Sequence, residues 1–149
     1  MQNYRQSPVA SRQSRINSMR SSNIEQLNVF KKSHELTMRI YDITNEFPPT
    51  EKFGLVTQLR RAAVSINSNL MEGGARNTDG EYRHFVGIAR GSTAEIKYQI
   101  RVAKDVGFIN VETYNEIYNS LEEISKMLVG LIQSISYKHT DDWRLATGD

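Results

Sequence analysis

Apolar side chains recur every three or four residues along most of the chain, which is the spacing of helices that bury one face. The pattern falls into four seams: Val29, Ser33, Leu36, Ile40, Ile43 and Phe47; Val56, Leu59, Ala63, Ile66, Leu70 and Gly73; Phe85, Ala89, Ser92, Ile96, Gln99 and Ala103; and Tyr114, Ile117, Leu121, Ile124, Leu128, Leu131 and Ile135. The breaks between them read FPPTEKFG, GGARNTDG and DVGFIN, which are rich in helix-ending residues. Four seams with short connections predict an all-α fold, an antiparallel up-down-up-down four-helix bundle over residues 29–137.

The fourth seam is the most regular, and it predicts that its central side chains are buried. These are Leu121, Ile124, Leu128 and Leu131. Either Thr78 or Asp79 is suited to cap the start of the third helix. The chain of 149 residues contains no strand pattern and no internal repeat, so we expect a single helical domain.

The two ends differ in composition from the bundle. Residues 1–28 are rich in Ser, Gln and Arg and poor in apolar residues, which predicts a flexible basic arm. Its arginines include Arg12, Arg15 and Arg20, which favour a second interpretation, contact with nucleic acid. Its composition also resembles that of a transit peptide. Residues 138–149 are expected to form a C-terminal tail.

Composition excludes several kinds of site. The chain has no cysteine, so disulfides, thiolate nucleophiles and cysteine-bound zinc are ruled out. No apolar run approaches the roughly 20 residues that cross a bilayer, and no apolar signal segment is visible at the N-terminus. These features predict a soluble cytoplasmic protein that does not contact a membrane.

The third helix carries a row of cations. Arg83, Arg90, Lys97 and Lys104 recur every seven residues, and Arg101 lies beside them, on a face away from the third seam. The row is about 30 Å long at a rise of ~1.5 Å per residue. Because the helix itself offers no acidic partners along this row, we predict that it binds phosphates without sequence preference. An ordinary solvated helix face is the alternative.

The second helix carries an unusual polar face. Ser65, Ser68, Asn69 and Glu72 lie mostly away from its apolar seam, and Arg60 and Arg61 add secondary positive charge. Solvated helix faces usually favour Lys, Glu and Gln, which form helices better than Ser and Asn. The small polar residues therefore fit a packed contact, within the bundle or between subunits, as well as they fit a solvated face.

Catalytic and metal-binding interpretations find little support in the sequence. Glu81 and His84 form one Glu-x-x-His pair, whereas di-iron bundles need two such pairs and two further glutamates. His34 and His139, the other histidines, complete no second pair. The segment GGAR lacks the Gly-Lys-Ser/Thr of a phosphate-binding loop. We therefore expect no enzymatic activity, no metal and no cofactor.

Three segments carry a resemblance to a known family. LRRAAVSINSNLMEGGAR, EYRHFVGIARGSTAEIKYQIRVAKDVGFI and FKKSHELTMRIYDITNEFP resemble small four-helix-bundle proteins encoded in intervening sequences of bacterial ribosomal RNA genes. The similarity covers about Val29 to Ile135. Its most specific residues are Arg60-Arg61-Ala62-Ala63, Ser68-Asn69, Glu72-Gly73 and Gly91-Ser92 with Glu95. The chain departs from the family at Asn67, where proline is common, and in its basic arm.

The resemblance implies a ring-like homopentamer. It indicates the fold and the assembly more than a biochemical function. Related bundles include the accessory variability determinant of diversity-generating retroelements, which binds nucleic acid and a reverse transcriptase. Two functions follow as expectations. One is a non-enzymatic oligomer that binds structured RNA or DNA through the third helix and the arm. The other is an oligomeric protein-interaction scaffold, for example for a reverse transcriptase, without direct nucleic-acid binding.

Overall fold

The computed structural model describes residues 23–146, and the side chains of residues 23–135. Its four long helices are α1 (Asn28–Thr44), α2 (Leu55–Gly74), α3 (Asp79–Asp105) and α4 (Val111–Ala146). A short 3-10 turn, Pro49–Glu51, lies between α1 and α2. The described part of the chain contains no strand, so the predicted all-α class is confirmed.

Ion pairs between α1 and α4 show how these helices run. Lys32 pairs with Glu123, and Arg39 pairs with Glu116. Partner numbers rise on α1 as they fall on α4, so the two helices are antiparallel. Helix α2 packs between α1 and α3, and α4 packs against α3 and α1. The predicted up-down four-helix arrangement is confirmed.

The predicted seams form the core, with a few exceptions at its edges. Every residue of the first two seams is buried, and so are all of the third except half-buried Phe85. In the fourth seam Leu121, Ile124 and Leu128 are fully buried, but Leu131 is only half-buried. Ile135, one turn further along α4, is buried again, so Leu131 lies at the margin of the buried face of α4 and not beyond the end of the core.

Local signals fix both ends of α3, the helix that carries the predicted cations. The Thr78 hydroxyl accepts a hydrogen bond from the Glu81 backbone N–H at 3.1 Å, and Asp79 and Glu81 in the first turn complement the helix dipole. At the other end the Phe108 N–H donates to the Ala103 carbonyl at 2.8 Å. The Gly107 N–H donates to the Lys104 carbonyl at 3.0 Å, which completes a Schellman motif. Gly107 has φ of 87°, a conformation that glycine adopts without strain.

The boundaries of the bundle are wider than the sequence pattern indicated. Ile24, within the expected arm, is buried against the core. Helix α4 continues to Ala146, beyond the expected end at 137. The arm residues Arg12, Arg15 and Arg20 lie outside the described residues. Helix α2 is continuous through Asn67, whose side-chain amide donates to the Phe30 carbonyl on α1 at 3.0 Å.

Candidate nucleic-acid interface

The five predicted cations of α3 lie in two different environments, because only some of them reach α4. Lys97 Nζ donates to Glu122 Oε1 at 2.6 Å and lies 5.5 Å from the centre of the Tyr118 ring. Lys104 Nζ lies 4.2 Å from the centre of the Tyr114 ring, and 3.7 Å from an Asp105 carboxylate oxygen. These two lysines therefore help to hold α3 against α4.

The expectation that this row has no acidic partners is wrong for Lys97. Its partner, Glu122, comes from the neighbouring helix, whereas the sequence argument considered only acidic residues on α3 itself. The hydrogen bond from Lys97, together with its positive charge, lowers the pKa of Glu122 below the ordinary value of 4.5. Glu122 is thus held in its charged form, and it offsets the charge of Lys97 toward any ligand.

The remaining three cations differ from these lysines in their exposure or in their partners. Arg90 is exposed and makes no ion pair or side-chain hydrogen bond within the described residues. Arg101 is also exposed, and its only ion pair there is a long one, 3.9 Å from its Nε to Asp105 Oδ2. An exposed pair at that distance contributes little and is screened by salt. Arg83 is half-buried and is already engaged in a contact. Arg90 and Arg101 are therefore the accessible cations of the row.

Small residues and one aromatic residue lie beside these two arginines. Gly87, Gly91, Ala94 and Tyr98 are all exposed, and the Tyr98 side chain is 69% exposed. A Cβ atom built on Gly87 or Gly91 would meet no atom within 4 Å. We call the surface formed by Gly87, Arg90, Gly91, Ala94, Tyr98 and Arg101 the outer face of α3. The sequence analysis missed Tyr98, although Gly87, Gly91, Ala94, Tyr98 and Arg101 follow a four-three-four-three spacing that was visible in the sequence.

Comparisons with known proteins place the chain in a family. The sequence profile described as 23S rRNA-intervening sequence protein matches residues 25–130. The chain belongs to this family. Among solved structures, it is similar to a protein of unknown function from the S23 ribosomal protein family of Bacteroides thetaiotaomicron. The TM-score is 0.63 at 26% sequence identity, over 70% of this chain and 97% of that one. No match is found among curated proteins.

The secondary cations on α2 also differ from one another. Arg60 donates to Thr44 Oγ1 at 2.9 Å and to Asn45 Oδ1 at 3.0 Å, and its guanidinium lies 4.6 Å from the centre of the Tyr41 ring. It therefore joins α2 to the C-terminal end of α1. Arg61 is exposed and makes no ion pair within the described residues. Of this pair, only Arg61 has an uncommitted guanidinium.

The predicted packing face of α2 is divided between two sides of the helix. The Ser65 hydroxyl hydrogen-bonds with that of Ser92 on α3, so Ser65 lies at the contact with α3. Half-buried Asn69 donates to the Ser65 carbonyl within α2 at 2.7 Å. Ser68 and Glu72 are exposed on the side toward α1, where Glu72 pairs with Arg76 at 2.8 Å. Ser65 thus belongs to a contact within the bundle, whereas Ser68 and Glu72 lie on an open surface.

That open surface is the rim of a groove between α1 and α2. The groove has a volume of about 720 Å³, and apolar side chains form much of its lining. These are Phe30, Met38, Val64 and Met71, with Met38 and Val64 markedly exposed. Asn67 also lines it, and the Asn67 Oδ1 is buried without a hydrogen-bond partner in the described residues. We call this surface the α1–α2 groove.

Metal-binding clusters and membrane-spanning helices are both absent from the described residues. No group of three or more His, Cys, Asp or Glu side chains that could hold a metal ion occurs within residues 23–135. Over the described part of the chain, none of the helices combines the length and the apolar character needed to span a bilayer. Glu81 of the Glu-x-x-His pair instead contacts the cap residue Thr78, with 3.2 Å between Thr78 Oγ1 and Glu81 Oε2.

Proposed function

We propose that the protein is a non-enzymatic, cytoplasmic, homo-oligomeric bundle that binds RNA through the outer face of α3. The observation that carries the proposal is the exposure of Arg90 and Arg101. Within the described residues Arg90 makes no ion pair and Arg101 makes only a long one to Asp105, whereas Glu122 of α4 neutralises Lys97. Uncommitted guanidinium groups suit phosphate oxygens, to which they donate planar, charge-assisted hydrogen bonds. Contacts of this kind give affinity without sequence preference.

Assembly strengthens this proposal, because two arginines on one chain would bind RNA only weakly. A closed ring of subunits, for which we propose a pentamer, repeats the outer face of α3 around its circumference. Linked sites raise overall avidity by roughly 10²–10⁴ when the geometry permits simultaneous contact. The arginine-rich arm offers further phosphate contacts by the sequence argument, and removing residues 1–22 should weaken binding and flatten its salt dependence.

Charge reversal at the two accessible arginines tests the RNA-binding proposal. Fluorescence anisotropy would measure the binding of a labelled RNA hairpin between 50 and 200 mM salt, conditions over which phosphate contacts weaken steeply. Arg90→Glu with Arg101→Glu should lower the affinity at least tenfold and reduce the salt slope by about 1 for each phosphate that is no longer bound. Helicity and oligomer mass should not change, since both side chains are exposed.

A matched control reverses the same amount of charge elsewhere. Lys31 on α1 and Lys126 on α4 are exposed and form no ion pair in the described residues. Lys31→Glu with Lys126→Glu should leave most of the affinity intact. Equal losses in the two double variants would mean that only net charge matters, and an unchanged affinity in the arginine variant would eliminate the outer face of α3 as the RNA site.

The α1–α2 groove supports the oligomeric part of the proposal, since exposed apolar side chains around a groove are typical of protein contacts. Val64→Glu should lower the mass measured by light scattering, because it introduces a charge where an apolar partner surface would pack. Ile88→Glu is the control, since Ile88 is 40% exposed against 43% for Val64 and lies outside the groove. A monomer mass for the unmodified chain across micromolar concentrations would contradict the oligomer.

The same groove favours a second function, an interaction scaffold for another protein such as a reverse transcriptase. In that case the groove receives the partner, and the outer face of α3 need not contact nucleic acid. Salt separates the two functions, because apolar contacts weaken little between 50 and 200 mM salt, whereas phosphate contacts weaken steeply. Val64→Glu should then abolish partner binding, whereas Arg90→Glu should not.

A further inference from the structure

Tyr98 has no structural task that explains its position. Its side chain is 69% exposed on the outer face of α3, and it has no ring contact or hydrogen bond within the described residues. Tyr114 and Tyr118 on α4 behave differently, because they are half-buried and lie against Lys104 and Lys97. Tyrosine is also a weaker helix former than the Lys, Glu or Gln that solvated positions usually carry.

The neighbours of Tyr98 leave its ring open. Aromatic side chains on a helix lean toward the N-terminus, over the residues three and four positions earlier. These are Ala94 and Glu95, and Gly91 lies one turn further along the side of Ala94. Ala94 and Gly91 are too small to cover the ring, and Gln99 Nε2 holds the Glu95 carboxylate at 3.1 Å, so the Tyr98 side chain stays 69% exposed. An uncovered aromatic ring is a platform on which a planar base can stack.

The charges around Tyr98 are arranged on two sides. Arg101 lies three residues beyond it, about 5 Å along the helix axis, and Arg90 lies eight residues before it, about 12 Å away. Glu95 lies on the opposite side of Tyr98 from these arginines, with its carboxylate accepting from Gln99 Nε2 at 3.1 Å. Phosphates are therefore favoured on the arginine side of the ring and disfavoured on the other.

We propose that the outer face of α3 selects unpaired nucleotides: Tyr98 stacks on an exposed base while Arg90 and Arg101 contact the phosphates on either side of it. The inference rests on the proposed RNA-binding function and deepens it by naming the form of RNA that is recognised. A fully paired duplex hides its base faces within its own stack, so it can contact the arginines but not the ring. Loops, bulges and single strands satisfy both contacts.

The experiment compares two RNA probes and three variants, which are Tyr98→Leu, Tyr98→Phe and the double variant Arg90→Glu with Arg101→Glu. The probes are a labelled single strand and a blunt duplex that contains the same strand, and their affinities are measured by anisotropy. The unmodified protein should bind the single strand more tightly. Tyr98→Leu keeps an apolar side chain but removes the aromatic ring, so it should lower single-strand affinity about 5–150-fold, the range expected for one stacked base, and leave duplex affinity unchanged. Tyr98→Phe should retain the preference.

The outcomes separate this inference from the function on which it rests. Loss of binding to both probes in Arg90→Glu with Arg101→Glu, with no effect of Tyr98→Leu, would keep the RNA-binding site and overturn the stacking role. A drop in oligomer mass in Tyr98→Leu would assign the ring to a protein contact and would also overturn it. If the unmodified protein binds neither probe, both the proposed function and the inference fail.

Discussion

Small residues line two sides of α3, and the two sides behave differently. Toward α2 they are buried. Ala89 is fully buried, the Ser92 hydroxyl bonds with Ser65, and a Cβ on Gly73 of α2 would lie 2.8 Å from Phe85 Cβ. On the outer face, Gly91 has no atom within 4 Å of where its Cβ would be, and Ala94 is exposed. Small residues thus allow α2 and α3 to pack closely on one side of α3. On the outer face they leave a surface with few protruding side chains.

This difference shows that the effect of a small residue in a helix depends on whether another helix packs against it. In the α2–α3 contact, the absence of a side chain brings two backbones close enough for the hydroxyls of Ser65 and Ser92 to pair. On the outer face, a glycine also lacks a side chain. It lowers the stability of the helix there, and no close packing against another part of the described chain compensates for this. We therefore expect close packing to limit substitutions on the inner side of α3, and substitutions on its outer face to meet no such constraint within the chain.

Truncating the core should produce the largest effect. Leu128 is fully buried in the middle of the fourth seam, so Leu128→Ala should lower the free energy of unfolding by about 2–5 kcal/mol, because less apolar surface is buried and a cavity is left behind. Denaturant unfolding at a fixed protein concentration measures this change. Leu131→Ala is the matched control, and it should cost less because Leu131 is only half-buried. Equal costs would contradict the difference in burial between the two leucines.

Filling the small contact between α2 and α3 should produce the next largest effect. In Gly73→Ala the new Cβ meets Phe85 Cβ at 2.8 Å and Tyr82 Cδ2 at 3.0 Å, so the helices must move apart. Overpacking of this kind costs about 1–3 kcal/mol, which the better helix propensity of alanine offsets by at most about 1 kcal/mol. We expect a net loss of unfolding free energy. If Gly73→Ala is instead more stable than the unmodified protein, then α2 and α3 can rearrange around the new Cβ without loss of stability.

The matching change on the outer face should have the opposite sign. Gly91 lies in the interior of α3 with open space around it, so Gly91→Ala should raise the free energy of unfolding by about 0.5–1 kcal/mol through better helix propensity. Thermal and denaturant unfolding both report this gain. A loss of stability or of oligomer mass would show instead that the outer face of α3 is covered by another subunit.

The sequence predicted the helices well because their signals are local. The three-four spacing of apolar residues and the breaks at proline and glycine are contained within each segment, and both appear in the structure. Thr78, one of the two residues proposed as the cap of α3, caps it as expected. The family resemblance, carried by residues such as Arg60-Arg61 and Gly91-Ser92, is confirmed by the profile match over residues 25–130.

The candidate site was harder to predict because its electrostatics depend on the register between helices. Nothing local to α3 indicates that Glu122, 25 positions later, lies 2.6 Å from Lys97. The same limitation placed Ser65 and Ser68 on one face, although the first contacts α3 and the second lines the α1–α2 groove. Spacing along one helix orders its residues around the axis, but only packing decides which of them meet a neighbour.

The α4 edge of α3 provides the last and smallest test, which concerns pH. The Lys97 hydrogen bond lowers the pKa of Glu122 in the folded protein, so this pair stabilises the fold when the carboxylate is charged, above its ordinary pKa of 4.5. The stabilisation should disappear as pH falls from that value through the lower pKa of the folded state.

Glu122→Gln should therefore unfold more easily than the unmodified protein at neutral pH, and the difference should shrink in acid. Glu46→Gln is the control, since it removes an exposed carboxylate that forms no ion pair among the described residues. A difference that stays constant down to acid pH would mean that Lys97 and Glu122 do not interact as charges, and Lys97 would then be available to RNA with Arg90 and Arg101.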